Sequence, residues 1–525
     1  MRGLTKIALT IIVAMLVACG GGGGSGSSST STSTSSTPPV TDTAATRFLE
    51  QATFGPTPDE IVHLKSIGYD AWFMEQFSAA ISDYPTVTDA NSLDVVQAAF
   101  FRNALTARDQ LRQRLVFALG QIFVVSDQKI DSRVGIVNFQ RTLLADAFGT
   151  YRQLLKDVTL SPAMGTYLDM ANNTKADATQ GTSPNENYAR EVMQLFSVGM
   201  VKLNADGTPV LDANSKAVPS YTQDHIEGMA RTFTGWTYPT KPGGASQPFN
   251  DSYYVGAMES HEDFHEPGTK KLLDAIQPAG QGATQDINAA MDSIAWHANV
   301  GPFIGTRLIQ ALVKSNPSPA YVQRVSATFT DNGQGVRGDM KAVLRAVLLD
   351  SEARAGDTLA TTATDGKLRE PVLYMTRLLR AFNARSEGTG MRNYSQPMRQ
   401  DVFNATSVFN FYPPSYKPQG YTLAGPEFKI ANAPTISARL NFLFDLTNQG
   451  LPATTQPDFG DLIAAAGDNT VLINFLDARL MHGTAPASLK AAVTQALPAA
   501  GSDSRQRAML ALYLFAASPA FTVQR

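Results

Sequence analysis

Residues 183–199, Ser-Pro-Asn-Glu-Asn-Tyr-Ala-Arg-Glu-Val-Met-Gln-Leu-Phe-Ser-Val-Gly, spell out an amphipathic helix with both ends specified. Ser183 is placed to be the N-cap, Pro184 suits the first helical position, and Glu186 follows the cap by three residues, the reciprocal capping-box spacing. Gly199 is placed to stop the helix. Tyr188, Val192, Leu195 and Phe196 recur at helical spacing, while Asn187, Arg190, Glu191 and Gln194 fall on the opposite side. Segments of this kind fill most of the chain, so the sequence predicts a mainly α fold, a multi-helix globular array.

Thr57-Pro58-Asp59-Glu60 repeats the cap signals before Ile61, Leu64 and Ile67. Helical periods follow over 69–77, 93–105, 108–125, 134–148 and 151–159, and again over 287–297, 302–313, 321–329, 340–349 and 367–384. The last three, 471–481, 489–496 and 504–517, read as a terminal bundle. Residues 203–221 break the pattern: Asp206-Gly207 is a turn signal, and short apolar runs flank a second polar turn, which predicts one small β-hairpin insertion. The segment 212–216 has the outline of a calcium loop, but Lys216 stands where an oxygen ligand belongs and the turn glycine is missing. No fixed-period repeat is apparent. Residues 392–430 form an aromatic loop, crowding Phe409, Phe411, Tyr412, Tyr416 and Tyr421 together; such loops plug cores or bind carbohydrate or peptide.

The N-terminus is of another kind. Arg2 and Lys6 precede an apolar run over 7–17, shorter than the ~20 residues a spanning helix needs, so 1–18 reads as a secretory signal. It ends in Leu16-Val17-Ala18-Cys19, which resembles the lipobox of bacterial lipoproteins, whose cysteine is lipidated and becomes the first mature residue. Gly20 follows, not an acidic inner-membrane retention residue, which points to the outer membrane of a Gram-negative cell. Residues 19–43 carry that cysteine and a Gly/Ser/Thr/Pro tether; ~20 flexible residues span roughly 25 Å. The folded body, 44–525, thus stands off a membrane in the periplasm or at the cell surface. Cys19 is the only cysteine, so the body has neither disulfide nor thiolate chemistry. Loss of Arg2 and Lys6 takes the formal charge from −3 to −5, which argues against a non-specific nucleic-acid binder. Arg102, Arg108, Arg112 and Arg114 make the body's one locally basic cluster, of the kind helices usually solvate.

Further blocks follow the 183–199 helix in order: Tyr221-Thr222-Gln223-Asp224, Ala230-Arg231, Thr234-Gly235-Trp236 and His265-Glu266-Pro267-Gly268-Thr269-Lys270, with supporting pieces at 47–55 and 407–412. With these blocks the chain resembles, from about Ala44 to its C-terminus, the bacterial family called domain of unknown function 1800 (DUF1800). The resemblance implies a mostly helical, exported protein and carries over no activity. Members are often encoded beside a second exported family with a sulfatase-like or phosphatase-like fold, which the resemblance implies as a partner.

Two literal motifs need weighing. His261-Glu262-Asp263-Phe264-His265 is H-E-x-x-H, the zinc-hydrolase pattern, but Pro267 and Gly268 follow at once and no third ligand stands downstream. His261 and His265 are therefore weak metal candidates. Gly333-Gln334-Gly335-Val336-Arg337-Gly338 is G-x-G-x-x-G without the strand a dinucleotide site needs before it; it reads as a helix end, a loop and a new helix capped by Asp339. What remains is a polar set, Asn187, Arg190, Glu191, Arg231, Trp236, His265 and Lys270. Two readings stand. If these residues meet in an open pocket, the cations hold an anionic group and Glu191 or His265 acts as acid or base, a hydrolase; if they are buried without access, they are a structural ion-pair network. The residues specify no cofactor.

Overall fold

The computed structural model describes residues 40–358 and 365–525. Residues 1–39, on which the expected signal segment, Cys19 and most of the expected tether fall, lie outside the described residues. Within Val40–Arg525 the helical periods become 23 α-helices among the described residues, joined mostly by short turns. None is long and apolar enough to cross a membrane. Their ends follow the side-chain chemistry. Thr57 and Glu60 form the reciprocal box that opens the Pro58–Ser78 helix. Asp339 caps Met340–Leu349 through the Lys341 and Ala342 amides, so the glycine-rich loop is the helix-to-helix joint its spacing suggests. Inside Pro58–Ser78, Gly68 at φ +75° kinks the helix.

The 183–199 stretch departs from expectation: its helix is only Asn187–Gln194. Ser183 and Pro184 stay outside it, and the Glu186 carboxylate accepts from Arg190 and Gln223 instead of closing a box. The N-terminal amide of Asn187 is met by Asn185 Oδ1, and the amide of Asn185 by Asn173 Oδ1, so a distant loop sets where the helix begins. Gly199 does end the segment, at φ +76° with its amide on Met193 O. A Cβ there would lie 2.9 Å from the Phe303 ring.

The insertion is more than one hairpin. Residues 202, 210 and 218 close a ring of backbone hydrogen bonds: Lys202 N to Val218 O (2.8 Å), Val210 N to Lys202 O (2.8 Å) and Val218 N to Val210 O (2.9 Å). Bridges Val201↔Pro219, Leu203↔Pro209 and Leu211↔Ala217 join the three extended segments. An eight-residue echo underlies it, Lys-Leu-Asn-Ala-Asp-Gly-Thr answered by Val-Leu-Asp-Ala-Asn-Ser-Lys, with Gly207 and Ser215 both at positive φ. The Asp212 carboxylate accepts from the amides of Asn214 and Lys216, a turn and not an ion loop. Among the described residues the other strands are four antiparallel pairs, each two residues long.

One contiguous apolar core runs from Ala45 to Phe521. The first helix, Asp42–Ala52, lies in it with Ala44 to Ala52 all buried, and Phe48 packs on Tyr69, Trp72 and Phe73. That helix carries Glu50 inward, where Arg369 binds both carboxylate oxygens (3.0 and 3.1 Å), Arg377 binds one, and His482 Nε2 lies 3.2 Å away. Of the arginines near 102–114, Arg108 is exposed and Arg102 half-buried, whereas Arg112 and Arg114 turn inward. Arg112 donates to Leu144 O and stacks over Phe148, and fully buried Arg114 donates to Ala311 O; each meets a carbonyl the helical ladders leave open.

Candidate functional site

The blocks singled out in the sequence are stitched together through Asn173. Its backbone carbonyl accepts from Gly235 N (2.7 Å), its side chain holds Asn185, and the neighbouring Asn172 N donates to Trp236 O (2.7 Å). Asp169 and Asn172 bend this turn at φ +59° and +62°, a region these short polar residues tolerate best among non-glycines. Gly235, at φ +81°, has no room for a side chain, since a Cβ would meet His261 O and His265 N at 2.9 Å. That close approach sets the 260–265 segment against Trp236, which pairs with Ser260. The Trp236 side chain is buried and its Nε1 takes no protein hydrogen bond.

His265, Lys270 and Asp286 form the interior of this region, at 2%, 0% and 0% exposure. Lys270 Nζ lies 2.5 Å from Asp286 Oδ2 and donates to Gly268 O (3.1 Å). His265 Nδ1 meets Thr234 O (2.9 Å) and Nε2 meets the same Asp286 Oδ2 (2.9 Å). Asp286 Oδ1 has no hydrogen-bond partner. At the rim Arg231 pairs with Glu266 (3.3 Å), not with Glu227 one turn earlier on its own helix. Burial acts to raise the Glu266 carboxyl, but the Gly268 amide and Arg231 outweigh it and hold the group below its ordinary value.

The polar stripe of Asn187–Gln194 has different partners. Asn187 donates to Asp169 and Arg190 to Glu186. Glu191 is half-buried, with one carboxylate oxygen unpartnered; burial pushes its carboxyl up, against the pull of Arg190. Its charge in turn helps burial raise Tyr167 and Tyr221. The seven residues therefore fall into two groups, a closed His265–Lys270–Asp286 cluster with Arg231 at its rim and a half-open stripe around Glu191. Asp286, which completes the first group, lies just before the 287–297 period and carried no sequence signal of its own.

H-E-x-x-H does not lie on a helix. His261 is extended, and only Glu262–Phe264 turns, as a 3-10 helix. His261 Nε2 meets Ser246 Oγ (3.0 Å), Glu262 accepts from the Ala283 amide at the start of Ala283–Trp296, and His265 points inward. The three side chains serve three partners; the turn ends at Phe264 and the helical geometry that would aim both imidazoles at one ion is absent. Among the described residues no group of three or more His, Cys, Asp or Glu is placed to hold a metal.

The aromatic loop divides in two. Tyr412 is buried, donating to Glu370 (2.7 Å) beside Gln121 and Gln400. Tyr421, by contrast, is 71% exposed, and Leu423 and Phe428 are also exposed. These three line a cleft of about 360 Å³. It shares Ser315, Asn316, Asp365, Leu423 and Ala424 with a second cleft of about 670 Å³, which reaches Asp206–Thr208 at a tip of the β ring. Asn316 clamps the loop by exchanging two hydrogen bonds with the Ala424 backbone, and Lys314 bridges Glu352 and Asp365 on the floor.

A family model described as "Protein of unknown function (DUF1800)" matches residues 47–523, nearly the whole described body. The chain belongs to this family. No curated protein and no solved structure matches it. In this DUF1800 member the 183–199, 234–236 and 265–270 blocks meet around the Asn173 node and the His265 cluster, whereas the pieces at 47–55 and 407–412 lie with Glu50 and Glu370. The groove is built instead from segments near Gly207, Asn316, Asp365 and Leu423, and of these the aromatic content of the loop and the Asp206-Gly207 turn were legible beforehand.

Proposed function

We propose that this DUF1800 protein binds or assembles with another component of the cell envelope, held there by lipid on Cys19. The observation that carries the reading is the composite groove: an exposed aromatic wall of Tyr421 and Phe428 joined to a floor of paired charges, Lys314, Glu352 and Asp365. Exposed aromatics above ordered polar groups are the makings of a recognition surface. The hydrolase alternative draws less support, since the closed His265 cluster and Glu191 keep separate partners. The lipobox-like Leu16-Val17-Ala18-Cys19 and the tether supply the means of anchoring, to the outer membrane in a Gram-negative host, and an exported sulfatase-like or phosphatase-like protein is the partner the family resemblance offers.

Carbohydrate recognition is the second reading, favoured by the exposure of Tyr421. The two separate in one experiment. Full-length protein is extracted from membranes in detergent, and binding is measured to purified partner and to cell-wall oligosaccharides, with Tyr421→Ala and Phe428→Ala alongside. Loss of partner binding in both variants supports assembly, and loss of saccharide binding supports the second reading. Unchanged binding to either ligand removes the groove from that role. Cys19→Ala is expected to move the protein from the detergent phase to the aqueous phase; retention in the membrane refutes lipid anchoring.

A further inference from the structure

The Lys270–Asp286 pair is placed to do more than attract. Its amine and carboxylate are both wholly buried, with Nζ 2.5 Å from Oδ2. A nitrogen that close to one carboxylate oxygen sits at roughly the 3–3.5 Å near-attack range from the carboxyl carbon. Two charges in such a place carry a large desolvation cost, which transfer of one proton from Nζ to the carboxylate cancels for both groups at once. The surrounding hydrogen bonds suit that neutral arrangement. Thr234 O only accepts, so Nδ1 carries a hydrogen; when the imidazole is neutral, Nε2 is bare toward Oδ2 and the 2.9 Å contact is made by a hydrogen on Oδ2. Nζ donates to Gly268 O and to Oδ2, so it turns about its Cε–Nζ bond to aim a lone pair at Cγ, while Oδ1 has no partner and remains the carbonyl oxygen.

From this geometry we propose that Lys270 and Asp286 join in an intramolecular amide, with His265 as the proton relay. Nζ attacks Cγ of the protonated Asp286; His265 Nε2 takes up the proton and returns it to Oδ2; the Cγ–Oδ2 bond breaks; and one water leaves carrying that oxygen. The carboxylic acid and the amine supply every atom, and neither is oxidised or reduced. Rigidity on both sides holds the pair. Gly228 lies so close under Lys271 that a Cβ would be 1.9 Å from its carbonyl oxygen, which pins the Lys270–Lys271 strand to the Gln223–Thr232 helix. Asp286 lies in the first turn of Ala283–Trp296. The link would staple this strand to that helix in a body that has no cysteine to form a disulfide.

The test is tryptic digestion of denatured full-length protein. Trypsin does not cut after an acylated lysine, so the amide yields a branched species, residues 232–271 joined to 272–307; an uncut linear 232–307 has the same mass, and the branched species is distinguished from it by two N-termini, Thr232 and Leu272, in stepwise N-terminal sequencing. The wild type is expected to give this species in place of the linear peptides. Asp286→Asn is expected to give the identical branched species, with ammonia as the leaving group, and Asp286→Ala none. His265→Gln is expected to slow its appearance after pulse-labelled synthesis by roughly 10²-fold. Folded wild-type protein that releases only linear peptides overturns the amide, and a His265→Gln protein that links at the wild-type rate overturns the relay.

Discussion

At the scale of single residues, charge burial decides most of the chemistry. Burial acts to raise Glu50, yet Arg369, His482 and Arg377 hold its carboxyl well below the ordinary range, while burial lowers His482 against the pull of Glu50. Glu50→Gln strands two buried guanidiniums and is expected to cost about 3–5 kcal/mol, read from the denaturant midpoint. Both shifts are downward, so both groups contribute stability above their unfolded values, roughly 6.5 for the histidine and 4.3 for the glutamate, which is lost as pH falls through the folded values. Stability is therefore expected to decline from about pH 6.5 downward, and His482→Gln to flatten the upper part of that decline. Asp146 has the opposite sign. Burial first, then the adjoining Asp157, pushes its carboxyl up to about 7 in a cleft that Arg141 also lines. Its contribution is complete below the unfolded value and disappears as pH rises through about 7. Asp157→Asn is accordingly expected to stabilise the protein at pH 8 by about 1 kcal/mol, a figure reduced for solvent screening, and to change little at pH 5.

At the scale of elements, glycine decides how closely they approach. Gly228 brings the Gln223–Thr232 helix onto the Lys270–Lys271 strand, and Gly235 brings the Trp236 strand onto His265. Gly228→Ala is expected to cost about 1–3 kcal/mol by overpacking, with hydrogen exchange rising first in residues 270–277, whose short antiparallel pair leans on that helix. Unchanged exchange there would show that the strand shifts freely. Capping behaves locally by comparison. Thr57→Ala removes the hydroxyl that meets the Glu60 amide and is expected to cost about 1 kcal/mol without disturbing distant segments.

At the scale of the whole molecule, the C-terminal end closes the body. Val523–Gln524 pairs with Lys367–Leu368, Gln524 Nε2 donates to Leu312 O, and Arg369 donates to Val523 O while holding Glu50. Deleting residues 522–525 leaves these buried groups unsatisfied and is expected to lower stability by about 2–3 kcal/mol in a single cooperative transition; a separate early transition would instead mark the C-terminal helices as an independent unit. The sequence by itself determined the helical class, most helix positions and many of their caps, because an apolar period and a capping side chain act within a few residues of one another. It also marked His265 and Lys270. Tertiary structure alone decided that Ser183 and Pro184 stay outside their helix, since Asn173 claims the entry, and that His261 and His265 face apart. It also decided that Asp286 completes the His265 cluster and that Tyr421 stands open while Tyr412 is buried. Each of those outcomes depends on which distant group takes a hydrogen bond or fills a space, and no local periodicity encodes that.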